Sequence, residues 1–297
     1  MKKTFLFLIA AFSFLLSGQA AEKAKHVVLI GLDGWGAYSV SKAEIPNIRK
    51  MMNEGCYTLK KRSALPSSSA INWASMFMGA GPELHGYTQW GSKVPELPSR
   101  EVTENGIFPT IFYLLHKARP EAEIGCLYEW EGIKYLVDTL ALDYHAQAPD
   151  YNKHPEALCG MAEKYIKEKT PVLLAVCFDN PDHVGHAAGH DTPEYYAKLN
   201  ELDTYVARIV QAVKDAGMFD NTIFIITADH GGINKGHGGK TMQEMETPFI
   251  ICGKNVKKGG EFSESMMQYD VASTIAYIFG LKQPQVWIGR PMKQVFK

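Results

Sequence analysis

Carboxylates and imidazoles gather in the second half of the chain, directly after apolar runs. The segment TADHGG places Asp229 and His230 side by side, and DNPDHVGH places Asp182 and His186 four residues apart. Residues four apart lie on one face of a helical turn, so Asp182 and His186 can bind one metal ion together. His237 follows in the loop NKGHGGK. These mixed nitrogen and oxygen ligands suit zinc.

A third carboxylate, Asp33, lies between glycines in GLDG, where the first apolar run ends. An aspartate in such a place is often only a turn residue. With the five residues above, it completes three carboxylates and three imidazoles, enough for two ions. Two ions about 3.5–4 Å apart can clamp the attacking and leaving oxygens of an in-line displacement. We therefore expect a site for two divalent metal ions, with Zn²⁺ preferred.

A displacement of this kind needs a nucleophile, and ALPSSSAIN offers Ser67, Ser68 and Ser69. Serines between a proline and a helix are usually turn or cap residues. At a helix N-terminus, however, a hydroxyl lies in a positive end-field, and metal coordination can make it an alkoxide near neutral pH. The stretch by itself does not decide between these roles.

The elements that must position these residues alternate along the chain. Near-continuous apolar runs suit buried parallel strands, and they are HVVLIGL, EIGCLY, VLLAVCF, TIFIITA and PFIICG. Helical patterns lie between the runs and after the last one. This order predicts an α/β fold with a mostly parallel central sheet and helices on both faces. Ligands of such sheets bind beyond the carboxyl ends of the strands, which is where the candidate ligands lie.

The first twenty residues have a basic start, an apolar run and small residues suited to cleavage, as in a secretory signal peptide. No later stretch is long and apolar enough to span a membrane. We expect residues 1–20 to be removed and residues 21–297 to form a single catalytic domain that is exported, to the periplasm or as a secreted protein. The five cysteines show no paired spacing, and no disulfide is required.

The overall charge gives little attraction to polyanions. The formal net charge is −1, and it becomes −3 when Lys2 and Lys3 leave with the signal peptide. We therefore expect no nucleic-acid-binding surface and no binding to anionic membranes. The expected partner is a small-molecule phosphate ester or nucleotide held by a local site.

Taken in order, GLDG, the serine helix ending in MFMGAGPELHG, DHVGH, TADHGG and HGG resemble the alkaline phosphatase superfamily. The nearest resemblance is to its nucleotide pyrophosphatase/phosphodiesterase and sulfatase-like branches, and it extends from Val27 to about Met292. It implies an alkaline-phosphatase-like fold. It also implies two ligand sets, one for each metal: Asp182, His186 and His237, and then Asp33, Asp229 and His230.

The resemblance also implies the nucleophile. In these families it bridges both ions at a helix start, ten residues before a glycine, and counting back from Gly79 gives Ser69. Ser67 and Ser68 would then shape the turn or cap the helix. His85 and Gly86 match the family's HG turn and are expected to be structural.

Two further residues are candidates for binding substrate. Asn72 lies one turn along the helix from Ser69, where it could contact an oxyanion or serve only packing and capping. Lys240 falls near where sulfatases place an anion-binding lysine, although a loop lysine is commonly only solvated.

Departures from the family patterns bear on the substrate. No asparagine follows the HG turn, where the segment reads YTQW and Gln89 is the candidate replacement. The stretch from Ser69 reads SAINW, without the C/S-x-P/A-x-R motif that sulfatases need for formylglycine. No arginine follows Ser69 before Arg100, so the bidentate fork that monoesterases use is missing.

We therefore expect a phosphodiesterase of the nucleotide pyrophosphatase type that works through a phosphoserine, with Trp73, Tyr87 or Trp90 packing against the second ester group. The alternatives are a phosphomonoesterase, a sulfatase-like hydrolase, and a non-catalytic module that binds metal and a carbohydrate or lipid headgroup. Such a module would lack a ligand or the nucleophile, but all seven positions are filled. GLDGWG also resembles cofactor-independent phosphoglycerate mutases, whose inserted domain this chain has no room for.

Overall fold

The computed structural model describes residues 23–297, so the predicted signal peptide lies outside the described residues. One eight-stranded sheet forms the centre, in the order β4-β3-β5-β1-β6-β7-β2-β8. The strands are β1 His26–Leu32, β2 Cys56–Arg62, β3 Ile124–Tyr128, β4 Tyr144–Gln147, β5 Leu173–Phe178, β6 Thr222–Thr227, β7 Glu246–Gly253 and β8 Gly260–Glu261.

The sheet is mostly parallel, as predicted. The five strands from β4 to β6 run in one direction. Strand β7 is antiparallel to both β6 and β2, so the expectation that PFIICG forms a parallel strand is wrong. Neighbouring parallel strands are usually joined by a crossover helix that runs back along the sheet. Residues 228–245 contain only one four-residue helix, and they return the chain to the same edge, so β7 starts beside the end of β6.

Helices cover both faces of the sheet, which confirms the predicted α/β layers. Side chains alternate along β1, so Val27 and Leu29 pack with α2, α4 and α9, whereas Val28 and Ile30 pack with α1, α5 and α7. The α-helices of the described residues are α1 Pro46–Glu54, α2 Ser69–Met78, α3 Pro82–His85, α4 Ile111–Ala118, α5 Ala157–Lys169, α6 Asp182–Ala188, α7 Pro193–Asp215, α8 Met242–Met245 and α9 Asp270–Ile278.

Helix α2 carries the serine stretch into the core. All ten of its residues are buried, which is the pattern of a helix enclosed on every side. It ends at Gly79, whose φ of 59° is left-handed and whose missing Cβ leaves room for the ring of Trp287. The packing around α2 therefore holds its N-terminus in a fixed position.

The cysteines are five buried free thiols, so no disulfide is present, consistent with the sequence. Within residues 23–297, none of the helices has the length and apolar character needed to cross a bilayer.

Candidate active site

The carboxyl ends of three adjacent parallel strands bring the predicted ligands together. Asp33 follows β1, and Asp229 and His230 follow β6, which pairs with β1. Asp182 is the first residue of α6, shortly after β5 on the other side of β1. Because these strands end at one edge, their ligands meet there.

The buried half-site consists of Asp33, Asp229 and His230. The Nε2 atom of His230 lies 3.3 Å from Asp33 Oδ1 and 3.3 Å from Asp229 Oδ2. The other ring nitrogen, Nδ1, lies 2.8 Å from the carbonyl of Gly231. That contact makes Nδ1 the donor and leaves the Nε2 lone pair facing the two carboxylates.

Each carboxylate of the buried half-site has one bonded oxygen and one without a partner. Asp33 Oδ2 accepts a hydrogen bond of 2.9 Å from the indole of Trp73. Asp229 Oδ1 accepts from the backbone amides of Gly34 and His230, at 3.1 and 2.9 Å. Asp33 Oδ1 and Asp229 Oδ2 are buried and have no partner among the described residues. Unpartnered buried carboxylate oxygens are rare and costly, and a divalent cation fits these two oxygens and the facing imidazole.

The two carboxylates of the buried half-site disfavour each other's negative charge, and a bound cation would relieve this. Burial and the charge of Asp182 raise the pKa of Asp229 to about 7. Burial and the charge of Asp229 likewise raise the pKa of Asp33. Burial lowers the pKa of His230, which keeps its imidazole neutral, as a metal ligand must be.

The open half-site consists of Asp182, His186 and His237. His186 Nε2 lies 3.0 Å from Asp182 Oδ2 and 3.1 Å from His237 Nε2, and His237 Nε2 lies 3.6 Å from the same Asp182 oxygen. The Nδ1 atoms of His186 and His237 contact the carbonyls of Lys235 and Ser67, at 2.9 and 3.1 Å. Both Nε2 atoms therefore point inward as candidate ligands.

The two half-sites adjoin one another. The rings of His230 and His237 stack with centroids 3.8 Å apart. Asp182 belongs to two groups whose ligand atoms lie within 4.8 Å of one another, one with His186 and His237 and one with Asp33 and His230. Candidate ligand atoms therefore meet in both half-sites, and Asp182 contributes to each group.

Ser69 lies against the buried half-site. Its Oγ is 3.1 Å from His230 Nε2, and it is the first residue of α2. Ser68 occupies the N-cap position, but its side chain makes no capping hydrogen bond. Ser67 Oγ instead donates to the carbonyl of Gly239 at 2.7 Å and accepts from the amide of Gly238 at 3.2 Å. Ser69 is thus the serine that faces the ligands, whereas Ser67 fastens the loop that carries His237.

His190 is a site residue that sequence reasoning missed. Its Nε2 lies 3.2 Å from Asp182 Oδ1, and its Nδ1 lies 3.1 Å from the carbonyl of Asn234. Its ring fills the space that a Cβ on Gly185 or Gly232 would occupy. The available signal was its position four residues after His186, which continues the spacing from Asp182. Because His190 contacts Asp182 Oδ1, it is the other carboxylate oxygen, Oδ2, that contacts His186 in the open half-site.

The two candidate substrate contacts lie in different surroundings. The Asn72 side chain is buried, where it accepts from the amide of Ala64 at 2.7 Å and donates to the carbonyls of Ala64, Pro66 and Ser68. The Asn72 side chain is therefore committed to the turn before α2, which is a structural role. Lys240 is exposed on the loop after His237.

A family model described as type I phosphodiesterase/nucleotide pyrophosphatase matches residues 27–235, more than half of the chain. GPI ethanolamine phosphate transferase 3 of Schizosaccharomyces pombe is 28% identical over 169 residues, which are 54% of this chain and 18% of that protein. Bis(5′-adenosyl)-triphosphatase ENPP4 of Homo sapiens is 22% identical over 240 residues, which are 76% of this chain and 52% of that protein. The chain thus spans from under a fifth to about half the length of these relatives.

Solved structures match over most of the chain. Murine ectonucleotide pyrophosphatase/phosphodiesterase 5 has a TM-score of 0.74 and 14% identity, covering 92% of this chain and 100% of that chain. A 2-O GAG sulfatase has a TM-score of 0.72 and 16% identity, covering 92% of this chain and 74% of that chain. Both belong to the alkaline phosphatase superfamily, so the predicted fold is confirmed.

Proposed function

Because this chain belongs to the type I phosphodiesterase/nucleotide pyrophosphatase family, we propose that it hydrolyses phosphoric diesters through a phosphoserine on Ser69 at a two-metal site. The observation that carries the proposal is the convergence of the buried, unpartnered oxygens of Asp33 and Asp229 on His230, beside the Ser69 hydroxyl. A buried cluster of this composition has no evident packing role.

In the proposed arrangement Asp33, Asp229 and His230 would hold one divalent ion, and Asp182, His186 and His237 the other. When bound, such ions act as Lewis acids that stabilise the charge on the attacking and leaving oxygens. Zn²⁺ is the proposed metal because the donors are carboxylate oxygens and neutral imidazole nitrogens.

The chain's own part in the chemistry is carried by Ser69. Its Oγ forms a bond to phosphorus while the bond from phosphorus to the leaving oxygen breaks, and the serine proton passes through solvent to that oxygen. Water then attacks the phosphorus of the seryl ester, which still carries the second ester group; the Oγ–phosphorus bond breaks, Ser69 regains a proton from the water, and a phosphate monoester leaves. The enclosed α2 helix holds the hydroxyl in a fixed position for attack. This orientation lowers the entropic part of the reaction barrier and so raises the rate.

The positions of the nearest arginines before and after Ser69 in the sequence favour diesters over monoesters. A monoesterase binds the extra phosphoryl charge with a bidentate arginine. Arg62 instead faces Glu246 at 3.7 Å, and Arg100 lies in the surface loop after α3. Without that fork the site loses its preference for a dianion and leaves space for a second ester group.

We further propose that the protein is exported and that residues 21–297 act as one catalytic domain. The support for export is the amino-terminal pattern of residues 1–20, and the support for one domain is the single sheet of the described residues.

The test is a substrate panel on the zinc-loaded protein. We expect kcat/KM for bis-p-nitrophenyl phosphate to exceed that for p-nitrophenyl phosphate, with no turnover of p-nitrophenyl sulfate. A clear monoester preference would contradict the substrate class and leave the serine and metal assignments intact. No turnover of any ester would instead favour the non-catalytic alternative.

A second candidate is transfer of the phosphoryl group to an alcohol instead of water. The observation that favours it is the similarity to proteins named GPI ethanolamine phosphate transferases, in Schizosaccharomyces pombe and Homo sapiens. The same phosphoserine would then pass its group to an acceptor hydroxyl. Hydrolysis in the presence of a simple alcohol, with the products separated, distinguishes the two, because a transferase yields the alkyl ester in large excess over the free acid.

A further inference from the structure

We propose that Lys61 and Gln268 form a buried pair that positions the helix of Ser69 relative to the metal ligands at the end of strand β6. The inference deepens the proposed function and rests on it for the roles of Ser69, Asp229 and His230. Lys61 and Gln268 are positioning residues, because they act through the backbone that carries those groups. The family resemblance assigns them no role.

Lys61 is a lysine enclosed in the central sheet. It lies on β2 between two exposed residues, Lys60 and Arg62, yet its own exposed fraction is 0%. Lysine is almost never fully buried without a partner, because removing its amine from water costs free energy. A methionine would fill a similar space without that cost. Packing alone therefore does not explain a lysine at this position.

The side-chain amine of Lys61 contacts two neutral acceptors. Its Nζ donates to the carbonyl of Ala228 at 2.8 Å and to the side-chain oxygen of Gln268. Burial lowers the pKa of Lys61 to about 7, and the charges of Asp229 and Asp270 oppose this shift. Even a neutral amine has two N–H groups, so Lys61 can donate both hydrogen bonds in either protonation state.

Gln268 extends the contact from Lys61 to the nucleophile helix. Its side chain is fully buried, and its Nε2 donates to the carbonyls of Asn72 and Ala228, each at 3.2 Å. Asn72 lies in the first turn of α2, three residues after Ser69. One side-chain amide therefore joins the helix of Ser69 to the residue that directly follows β6.

The same contacts orient the backbone of Asp229. The carbonyl of Ala228 and the amide of Asp229 share one planar peptide unit, so the two donors on that carbonyl hold the whole unit. On the other side, the hydroxyl of Ser63 donates to the carbonyl of Asp229 at 2.7 Å. The rotatable backbone bonds of Asp229 lie between these two held units. The pair thereby fixes Asp229 and the adjacent His230 relative to Ser69, whose Oγ is 3.1 Å from His230 Nε2.

The first test separates rate from binding in the zinc-loaded protein. Lys61→Met fills a similar space but removes both donors, whereas Gln268→Glu keeps the acceptor for Lys61 and removes the donor to the Asn72 carbonyl. With bis-p-nitrophenyl phosphate we expect kcat to fall by about 10–100-fold in each variant, because a displaced nucleophile or ligand slows the reaction. KM and zinc content should stay those of the parent, since no ligand and no substrate contact is removed.

The second test needs no turnover. Co²⁺ is bound in place of Zn²⁺, and its visible absorption spectrum reports the geometry of the ligands around it. We expect Lys61→Met and Gln268→Glu to change that spectrum. The matched control is Lys60→Met, which makes the same exchange at the exposed neighbour on β2 and should keep the kcat and the spectrum of the parent.

Parent values of kcat, or parent spectra, in both Lys61→Met and Gln268→Glu would overturn the inference. An equal loss in Lys60→Met would also overturn it, as would a rise in KM that accounts for the whole loss of kcat/KM, because that is the effect of a lost substrate contact. If Lys61→Met does not fold, Gln268→Glu decides the question alone. Changed cobalt spectra in a protein whose parent form hydrolyses no phosphoric ester would instead contradict the proposed function alone.

Discussion

The two half-sites use the same ligand chemistry but differ in how the fold holds them. In the buried half-site the ligands follow strands β1 and β6 directly, and the His230 side chain is fully enclosed. In the open half-site the ligands come from the short helix α6 and a glycine-rich loop, and 49% of the His186 side chain is exposed. Strand ends thus place a ligand set rigidly in the core, whereas a short helix and a loop leave it accessible to solvent.

The hydrogen bonds that orient the ligands also differ between the two half-sites. Core groups, Trp73 and the backbone amide of Gly34, orient the buried carboxylates. A clamp outside the core orients His237, because Ser67 bonds to the loop on both sides of Gly238 and the amide of Gly239 donates to Glu244 at 2.8 Å. We infer that the buried half-site keeps its ion and that the open one exchanges its ion more readily.

The largest effect is expected from a change that removes a ligand of the buried half-site. Asp229→Asn keeps the shape of the side chain but removes its charge, and we expect kcat to fall by about 10³-fold or more because the ion beside Ser69 is lost. The variant should also lose most of the zinc-induced rise in Tm, while its metal-free form should be at least as stable as the parent, since a raised pKa marks a carboxylate that burial disfavours when charged.

His186→Ala is the matched change in the open half-site. Because His186 is half exposed, we expect a smaller loss of zinc-dependent Tm and activity that excess zinc partly restores. If both variants lost zinc-dependent Tm and activity to the same extent, and excess zinc restored neither, the two half-sites would not differ in how they hold metal.

Chelation should reveal the same distinction by metal content. Elemental analysis of the purified protein should give close to two divalent ions per chain. Brief treatment with a chelator should lower this to near one as activity disappears, and only prolonged treatment should remove the second. A content near zero, with activity that a chelator does not change, would contradict the two-metal mechanism.

The smallest expected effect concerns the clamp on the open half-site. Ser67→Ala removes the hydroxyl that holds the loop of His237, and loss of such a support commonly weakens metal binding by about 10–100-fold. We expect zinc affinity of the open half-site to fall within that range while activity at saturating zinc stays near that of the parent. Ser68→Ala is the control, because its side chain makes no capping bond, and zinc competition titrations compare the two.

The convergence of the candidate ligands was predictable because each of them follows a recognisable feature. Asp33 and Asp229 come directly after apolar runs, and the spacing of Asp182 and His186 is helical, so local pattern and sheet geometry suffice to bring them together. The choice of Ser69 among three serines needed the family spacing to Gly79, since nothing local separates the serines.

Other features depended on distant partners and could not be predicted. Asn72 has a structural role because the backbone carbonyls of residues 64, 66 and 68 accept hydrogen bonds from its side chain. Trp73 and Tyr87 are buried because the polar ends of their side chains reach Asp33 and Tyr135, contacts made only after folding. The direction of β7 likewise depends on how residues 228–245 fold back.

The proposed covalent bond between Ser69 and phosphorus can be trapped during turnover and located in the sequence. The zinc-loaded protein is mixed with bis-p-nitrophenyl phosphate, quenched in acid within the first turnover, digested and examined by mass spectrometry. We expect one p-nitrophenylphosphoryl group per chain, located on Ser69 and absent from the Ser69→Ala protein, because only one of the two aryl esters is lost in the first step. The same group on Ser67 or Ser68, or turnover by Ser69→Ala at the parent rate, would contradict the role proposed for Ser69.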